Sequence, residues 1–327
     1  VTAPSWRADI EAWQDIAEEV ARFYGYDVIE ETPLLGMSGE RGLTRLQKFR
    51  GLIGETARAL GYNETLTYSL TSEGALTLIN PLGEDKSRAR ISLLPSMLEI
   101  IRLNRNYKTE TAKFYEVARV YLPVAGQLLP DERTKLSMAA YGGNVDFLGF
   151  KSDVEKLLTE RLHIIGFTVT ASSNADYHPG RQAEISVNGN IICILGQVHP
   201  ENIEEAYAAE FDVAALFEAW GSETVYTASP RFPAVLRDLS LICDEKVTIA
   251  EMLYAIRTAG GKTLEDAELF DIYSGEQVGS GRKSVAFSLT FRSPERSLSD
   301  EEINPIISAV IAELKAKTGA ELRTVNG

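Results

Sequence analysis

The chain has 327 residues, 44% hydrophobic and 24% charged, which supports two or three globular domains whose cores need no covalent staples. No run of about 18 apolar residues occurs, which excludes a membrane-spanning helix. The net charge of −14 excludes a protein that coats DNA or RNA indiscriminately. That charge is uneven: residues 1–228 carry −11 and residues 229–327 only −3, so an RNA-facing surface is expected in the second part and must be local. The two cysteines, Cys193 and Cys243, stand in apolar surroundings without a CxxC pair and read as buried reduced thiols of a cytosolic protein, not a zinc site. The opening, Val1 to Trp6, has neither an initiator Met nor a leader and reads as the interior of a longer polypeptide.

In chain order, Val1 to Arg7 reads as extended. Asp15 to Tyr24 reads as a helix with Ile16, Val20 and Phe23 on one face, stopped by Gly25. The next segment, residues 34–228, opens with a helix over Leu43–Leu60 and a strand over Thr65–Leu70. An amphipathic helix over Leu94–Asn106 follows, then strands over Lys113–Tyr121 and Lys135–Tyr141 and a helix over Phe150–Ile165. Glu184–Val187 and Ile191–Gln197 alternate around Asn188-Gly189, a hairpin signal because both turn residues tolerate positive φ. The sum is a mixed antiparallel α+β domain. From residue 229 the order is strand (Asp238–Cys243), helix (Thr248–Ala259), strands (Ala267–Tyr273 and Lys283–Phe291), helix (from Ser299 to Lys317) and strand (Ala320–Arg323). Capping boxes at Thr248/Glu251 and Ser299/Glu302 open the two helices, and the βαββαβ order is ferredoxin-like. Pro305 interrupts the last helix pattern, with Asn304 as a second cap before it. The Gly275 to Gly281 loop leads into a strand, not a helix N-terminus, so it reads as a hairpin connection and not a phosphate loop.

The motifs carry a resemblance. Pro4-Ser5-Trp6-Arg7-x-Asp9-Ile10, Asp15-Ile16-x-Glu18-Glu19-Val20 and Tyr24-Gly25-Tyr26 come first. Ser92-Leu93-Leu94-Pro95-Ser96, Phe114-Tyr115-Glu116-Val117-Ala118-Arg119 and His178-Pro179-Gly180-Arg181 follow. Then come Arg231-Phe232-Pro233-Ala234, Leu269-Phe270-Asp271-Ile272-Tyr273 and Phe291-Arg292-Ser293-Pro294-Glu295-Arg296. In this order, over nearly the whole chain, they resemble the bacterial phenylalanyl-tRNA synthetase β subunit in its C-terminal part. The resemblance implies three segments: the end of a B5-type domain (1–33), a class II synthetase catalytic-like domain without an active site (34–228), and a ferredoxin-fold anticodon-binding domain (229–327). It further implies an α2β2 assembly in the cytoplasm, with no DNA and no membrane. In that assembly the α subunit holds ATP and phenylalanine, and this part helps dock the phenylalanine tRNA. Residues 34–228 show no arginine on a Gly-rich strand to grip ATP, and the family's editing site would lie before residue 1.

Asp15, Glu18 and Glu19 stand at i, i+3 and i+4 on one helix face, with Asp9 six residues earlier. Such a set needs a cation or a basic partner; a solvated acidic face near the helix N-terminus is the plainer reading, and the resemblance implies a structural Mg²⁺ at Asp9, Asp15, Glu18 and Glu19. Arg231, Arg237, Arg282, Lys283, Arg292 and Arg296 fall at strand ends and loops as candidate phosphate contacts, and Tyr273 is the candidate stacking platform for an anticodon base. Neighbours such as Asp238 and Glu295 are the competing partners of Arg237 and Arg292. Ala286, Ser288 and Thr290 predict a shallow, small-residue open face. The histidines are single and carry no catalytic pattern. A ferredoxin-like small-molecule sensor is the alternative function, and it leaves residues 1–228 unexplained.

Overall fold

The computed structural model describes residues 2–32, 42–221, 226, 228–275 and 278–323. The chain falls into two compact units, Val1–Thr224 and Val225–Gly327.

In the first unit, α1 (Trp13–Tyr24) ends at Gly25, whose φ of 100° no other residue adopts cheaply. Residues before it turn instead of extending: the Arg7 amide donates back to the Pro4 carbonyl. No side chain of α1 is buried. The core is a seven-stranded sheet ordered β1-β5-β6-β10-β9-β8-β7, antiparallel except for the parallel β1–β5 pair. Its strands are β1 (Asn63–Glu64), β5 (Ala112–Leu122), β6 (Asp131–Tyr141), β7 (Thr168–Ala171), β8 (Tyr177–Val187), β9 (Asn190–Val198) and β10 (Ala206–Asp212). Alternation divides the side chains between two cores. Tyr115, Leu136, Met138, Tyr207, Ala209 and Phe211 face α2 (Arg45–Ala59), α4 (Phe147–Lys156) and α5 (Val213–Ala219). Phe114, Ala139, Tyr141, Ala206 and Ala208 face α3 (Leu94–Asn106). A small sheet, β2-β4-β3 (Leu70–Thr71, Arg88–Ala89, Leu76–Thr77), stands beside it.

Two further expectations need correction. Of the strand expected over Thr65–Leu70 only Leu70 is in a strand, because Thr67 sends its amide (3.1 Å) and hydroxyl (2.6 Å) to the Glu116 carboxylate and not to a ladder. The helix expected over Phe150–Ile165 is α4 plus one π turn, Leu157–Arg161, which lets Leu157, Leu158 and Leu162 all reach the core. β7, β10 and α5 carry no expectation at all. β10 is buried on both faces and is alanine-rich, so neither alternation nor β propensity betrays it.

The second unit is β11 (Val235–Asp244), α6 (Ile249–Gly260), β12 (Leu264–Tyr273), β13 (Arg282–Phe291), α7 (Asp300–Thr318) and β14 (Glu321–Leu322). The sheet order β12-β13-β11-β14, with every pair antiparallel, is the ferredoxin-like split βαβ arrangement. Leu239, Leu241, Val285, Phe287, Leu289 and Phe291 pack under Met252, Ile256, Ile303, Val310 and Leu314 of the two helices. Both capping boxes form as expected. Pro305 does not restart a helix: α7 runs through it. The hydrogen bond it removes would reach the Glu301 carbonyl, on an exposed residue that water can satisfy.

Candidate functional site

Polar side chains of the first unit gather on the sheet face beneath α3. Register sets Glu116, Ser137 and Glu210 side by side on β5, β6 and β10, and Ala118, Lys135 and Asp212 in the next row of that face. Glu116 is 1% exposed; the equally buried Arg90 guanidinium lies 3.5 Å from it and also donates to the Arg119 carbonyl (2.9 Å) and the Thr67 hydroxyl (2.7 Å). Glu210 accepts from the Ser92 hydroxyl (2.7 Å) and from the Leu93 amide (2.8 Å) at the start of α3. Lys135 meets Asp212 at 3.2 Å, while the same carboxylate caps α5 through the Ala214 and Ala215 amides. Burial alone would push the Asp212 carboxyl up; the Ala215 and Ala214 amides and the Lys135 ammonium outweigh it and hold the group below the usual carboxylate range. On the adjoining hairpin, Arg119 pairs with Glu132 (2.9 Å) and Arg133 with Asp131 (2.7 Å). Gripping a triphosphate needs positive charge aimed at the phosphates. Here the charges of Arg90, Arg119, Arg133 and Lys135 are committed to carboxylates of the same chain.

The Ser137 hydroxyl, fully buried between the two glutamates, has no hydrogen-bond partner among the described residues. Ser137→Ala is therefore expected to raise stability by roughly 1 kcal/mol in urea unfolding, since it removes an unsatisfied buried group. A loss of similar size would show that the hydroxyl does have a partner, such as an ordered water.

The acidic set near the N-terminal end is balanced by arginine. Arg7 donates to Asp9 and to Glu19, each at 2.7 Å, and Arg22 pairs with Glu19. Hydrogen bonds from Arg7 hold both carboxyls below their ordinary range. Asp15 accepts the Ala12 (2.7 Å) and Glu11 (2.9 Å) amides as part of the α1 cap, and Glu18 is exposed. Among the described residues no three carboxylate, thiol or imidazole groups converge as a metal cage. Asp9, Asp15, Glu18 and Glu19 as arranged do not fit a Mg²⁺ site. The basic partner that such a set requires is Arg7, two residues before Asp9.

The seven RNA candidates divide between opposite ends of the four-stranded sheet. Tyr273, Arg282 and Lys283 lie where β12 ends and β13 begins; Arg231, Arg237, Arg292 and Arg296 lie where β11 begins and β13 ends. The ends are about 30 Å apart along β13. Four of the cations are engaged. Arg237 pairs with Asp300, Arg292 with Glu265 (2.8 Å) and Arg296 with Glu302, while Lys283 donates to the Glu245 carbonyl (3.0 Å). The partners are thus Asp300 and Glu265, not the sequence neighbours Asp238 and Glu295. Arg231 and Arg282 are exposed and have no side-chain partner among the described residues. Tyr273 is 38% exposed, and its ring lies against Gly275, where a Cβ would collide with it. The small side chains of β13 do occupy the open face, but carboxylates flank them: Glu268–Ser288–Asp238 form one row across the sheet, and Asp271–Ala286–Ser240 another. An RNA backbone laid across those rows would be repelled.

The two units, a helix-flanked, mainly antiparallel sheet and a ferredoxin-like unit, are matched in order by three models of aminoacyl-tRNA synthetase domains. They are the tRNA synthetase B5 domain (residues 1–26), the phenylalanyl tRNA synthetase beta chain CLM domain (29–218) and the ferredoxin-fold anticodon binding domain (230–323). The chain belongs to the phenylalanyl-tRNA synthetase β chain family. It is 38% identical to the phenylalanine–tRNA ligase beta subunit of Halalkalibacterium halodurans and 35% identical to that of Clostridium tetani, in each case over 99% of this chain and 44% of the relative. The Bacillus subtilis subunit is 36% identical over the same shares. The chain thus spans less than half the length of these relatives. Among solved structures, a pyrrolysyl-tRNA synthetase from Desulfitobacterium hafniense aligns at 14% identity with a TM-score of 0.43, over 53% of this chain and 65% of that one, too loosely to carry an argument. The sensor alternative accounts for the second unit alone, whereas the family matches cover both.

Proposed function

We propose that this chain is the C-terminal part of a phenylalanine–tRNA ligase β subunit: a support and tRNA-docking module whose partner α subunit, in an α2β2 enzyme of the cytoplasm, uses ATP to charge the tRNA. The observation that carries this reading is the contiguous order of three family matches over two units, the second presenting an open sheet. Within it, residues 1–33 close the B5-type domain, 34–228 form the catalytic-like domain and 229–327 the anticodon-binding domain. The internal neutralisation of Arg90, Lys135, Arg119 and Arg133 favours support over catalysis in the first unit. Large apolar side chains left exposed there, Leu66, Tyr68, Ile79, Leu82, Leu128 and Leu129, suit a subunit contact. Mg²⁺ at Asp9, Asp15, Glu18 and Glu19 would require Arg7 and Arg22 to release their carboxylates first.

The docking role is tested by titrating phenylalanine tRNA against the assembled enzyme at several salt concentrations. Arg231→Gln with Arg282→Gln, the two candidate cations without a side-chain partner among the described residues, should flatten the log–log salt slope by about two, while Arg237→Gln, already paired with Asp300, should leave it unchanged. A parental slope in the double variant would remove both arginines from the phosphate contacts.

A further inference from the structure

Beside the carboxylate row of the first unit, between the start of α3, the turn at Asn174–Tyr177 and strands β9 and β10, lies a cavity of about 120 Å³. Its charge does not balance. Asp212 is met by Lys135 and by two backbone amides. Glu210 commits one oxygen, Oε2, to Ser92 and Leu93, and its other oxygen has no partner among the described residues; nor does the Asp176 carboxylate. The free oxygen of Glu210 and the exposed Asp176 carboxylate therefore border the same small space.

A second observation is independent of that charge. Tyr177, 2% exposed, forms part of the cavity wall, and its hydroxyl makes no hydrogen bond among the described residues. Burial first, and then the fields of Glu210 and Asp176, push this hydroxyl well above its ordinary pKa, so it is fully protonated at neutral pH. The hydroxyl oxygen is the accessible part of this otherwise buried side chain, so it can bond to an occupant of the cavity. The rest of the lining sets the apolar Leu94, Ile191 and Ile194 beside Ser92, Asn174 and the Lys135–Asp212 pair. An ammonium group with a short hydrocarbon body satisfies both halves, its N–H groups donating to Glu210 Oε1, Asp176 and the Tyr177 oxygen while its carbons lie on the isoleucines.

We propose that this cavity is a binding site for a small primary ammonium compound, recognised by Glu210, Asp176 and Tyr177. Because Glu210 also holds the Leu93 amide at the start of α3, occupancy would hold that helix terminus in place.

The test is calorimetric titration of the chain with n-butylammonium chloride, against sodium chloride at equal ionic strength. Saturable binding is expected, with Kd raised at least about fivefold in Glu210→Gln and Asp176→Asn and by about threefold in Tyr177→Phe. Asp176 is exposed and its side chain supports no other contact, so Asp176→Asn carries the test if Glu210→Gln fails to fold. A response no larger than that to sodium, or equal affinity in all three variants, overturns the proposal. So does tighter binding of an α-amino acid with the same hydrocarbon tail, which would mean that Lys135 is free to take a carboxylate.

Discussion

Replacing Arg90 by alanine is expected to cost the first unit about 3–5 kcal/mol, because it strands the Glu116 carboxylate in a buried site. Both side chains are nearly inaccessible, at 4% and 1% exposure. The guanidinium also ties the Arg119 carbonyl and the Thr67 hydroxyl to the sheet, so two further groups lose a partner. Glu116→Gln in the same chain keeps an acceptor for the Thr67 amide while removing the charge. The pair Arg90→Met and Glu116→Gln should therefore recover much of the loss. Urea unfolding followed by circular dichroism measures it; a cost below about 1 kcal/mol for Arg90→Ala would mean that water reaches Glu116.

Phe287→Ala is expected to be as damaging in the second unit, again about 3–5 kcal/mol. Phe287 is fully buried in the middle of β13, opposite Leu239 of β11 and Leu269 of β12, under both helices. Its removal leaves a cavity that strands paired on both sides cannot close. Ser288→Ala, the next residue but on the open face, should stay within about 0.5 kcal/mol of the parent. A split of that size between adjacent residues would show in the unfolding transition assigned to Val225–Gly327; similar costs for both would contradict the one-sided core.

The second unit was the more legible from sequence, and its residues show why. β13 alternates Val285, Phe287, Leu289 and Phe291 against small polar residues, and two capping boxes mark both helices, so every element announces itself locally. In the first unit, α3 matches its expected bounds and the Asn188-Gly189 turn takes φ values of 51° and 81°. β10, by contrast, owes its strand to neighbours on both sides that no local pattern reveals. The same distinction governs the sites. That Tyr273 and the six cations lie at strand ends follows from the strand pattern. Their partners do not: Arg237 reaches Asp300 across 63 positions of sequence and Arg292 reaches Glu265 across 27. The carboxylates beside Ser288 and Ala286 come from β11 and β12, so the sign of the open face depends on strand order. The acidic set was legible as a spacing, and its neutralisation by Arg7 required the turn that folds residue 7 back towards Glu19.

Central to this account is a module that docks tRNA without performing chemistry, and removing Val225–Gly327 tests it most directly. The assembled enzyme, with and without that unit, should be compared in ATP–pyrophosphate exchange and in tRNA binding at fixed salt. The expected result is exchange that persists at parental rate with α present, is absent from the chain alone, and is accompanied by a marked loss of tRNA affinity on truncation. Unchanged tRNA affinity in the truncated enzyme, or robust exchange by the purified chain without α, would contradict it.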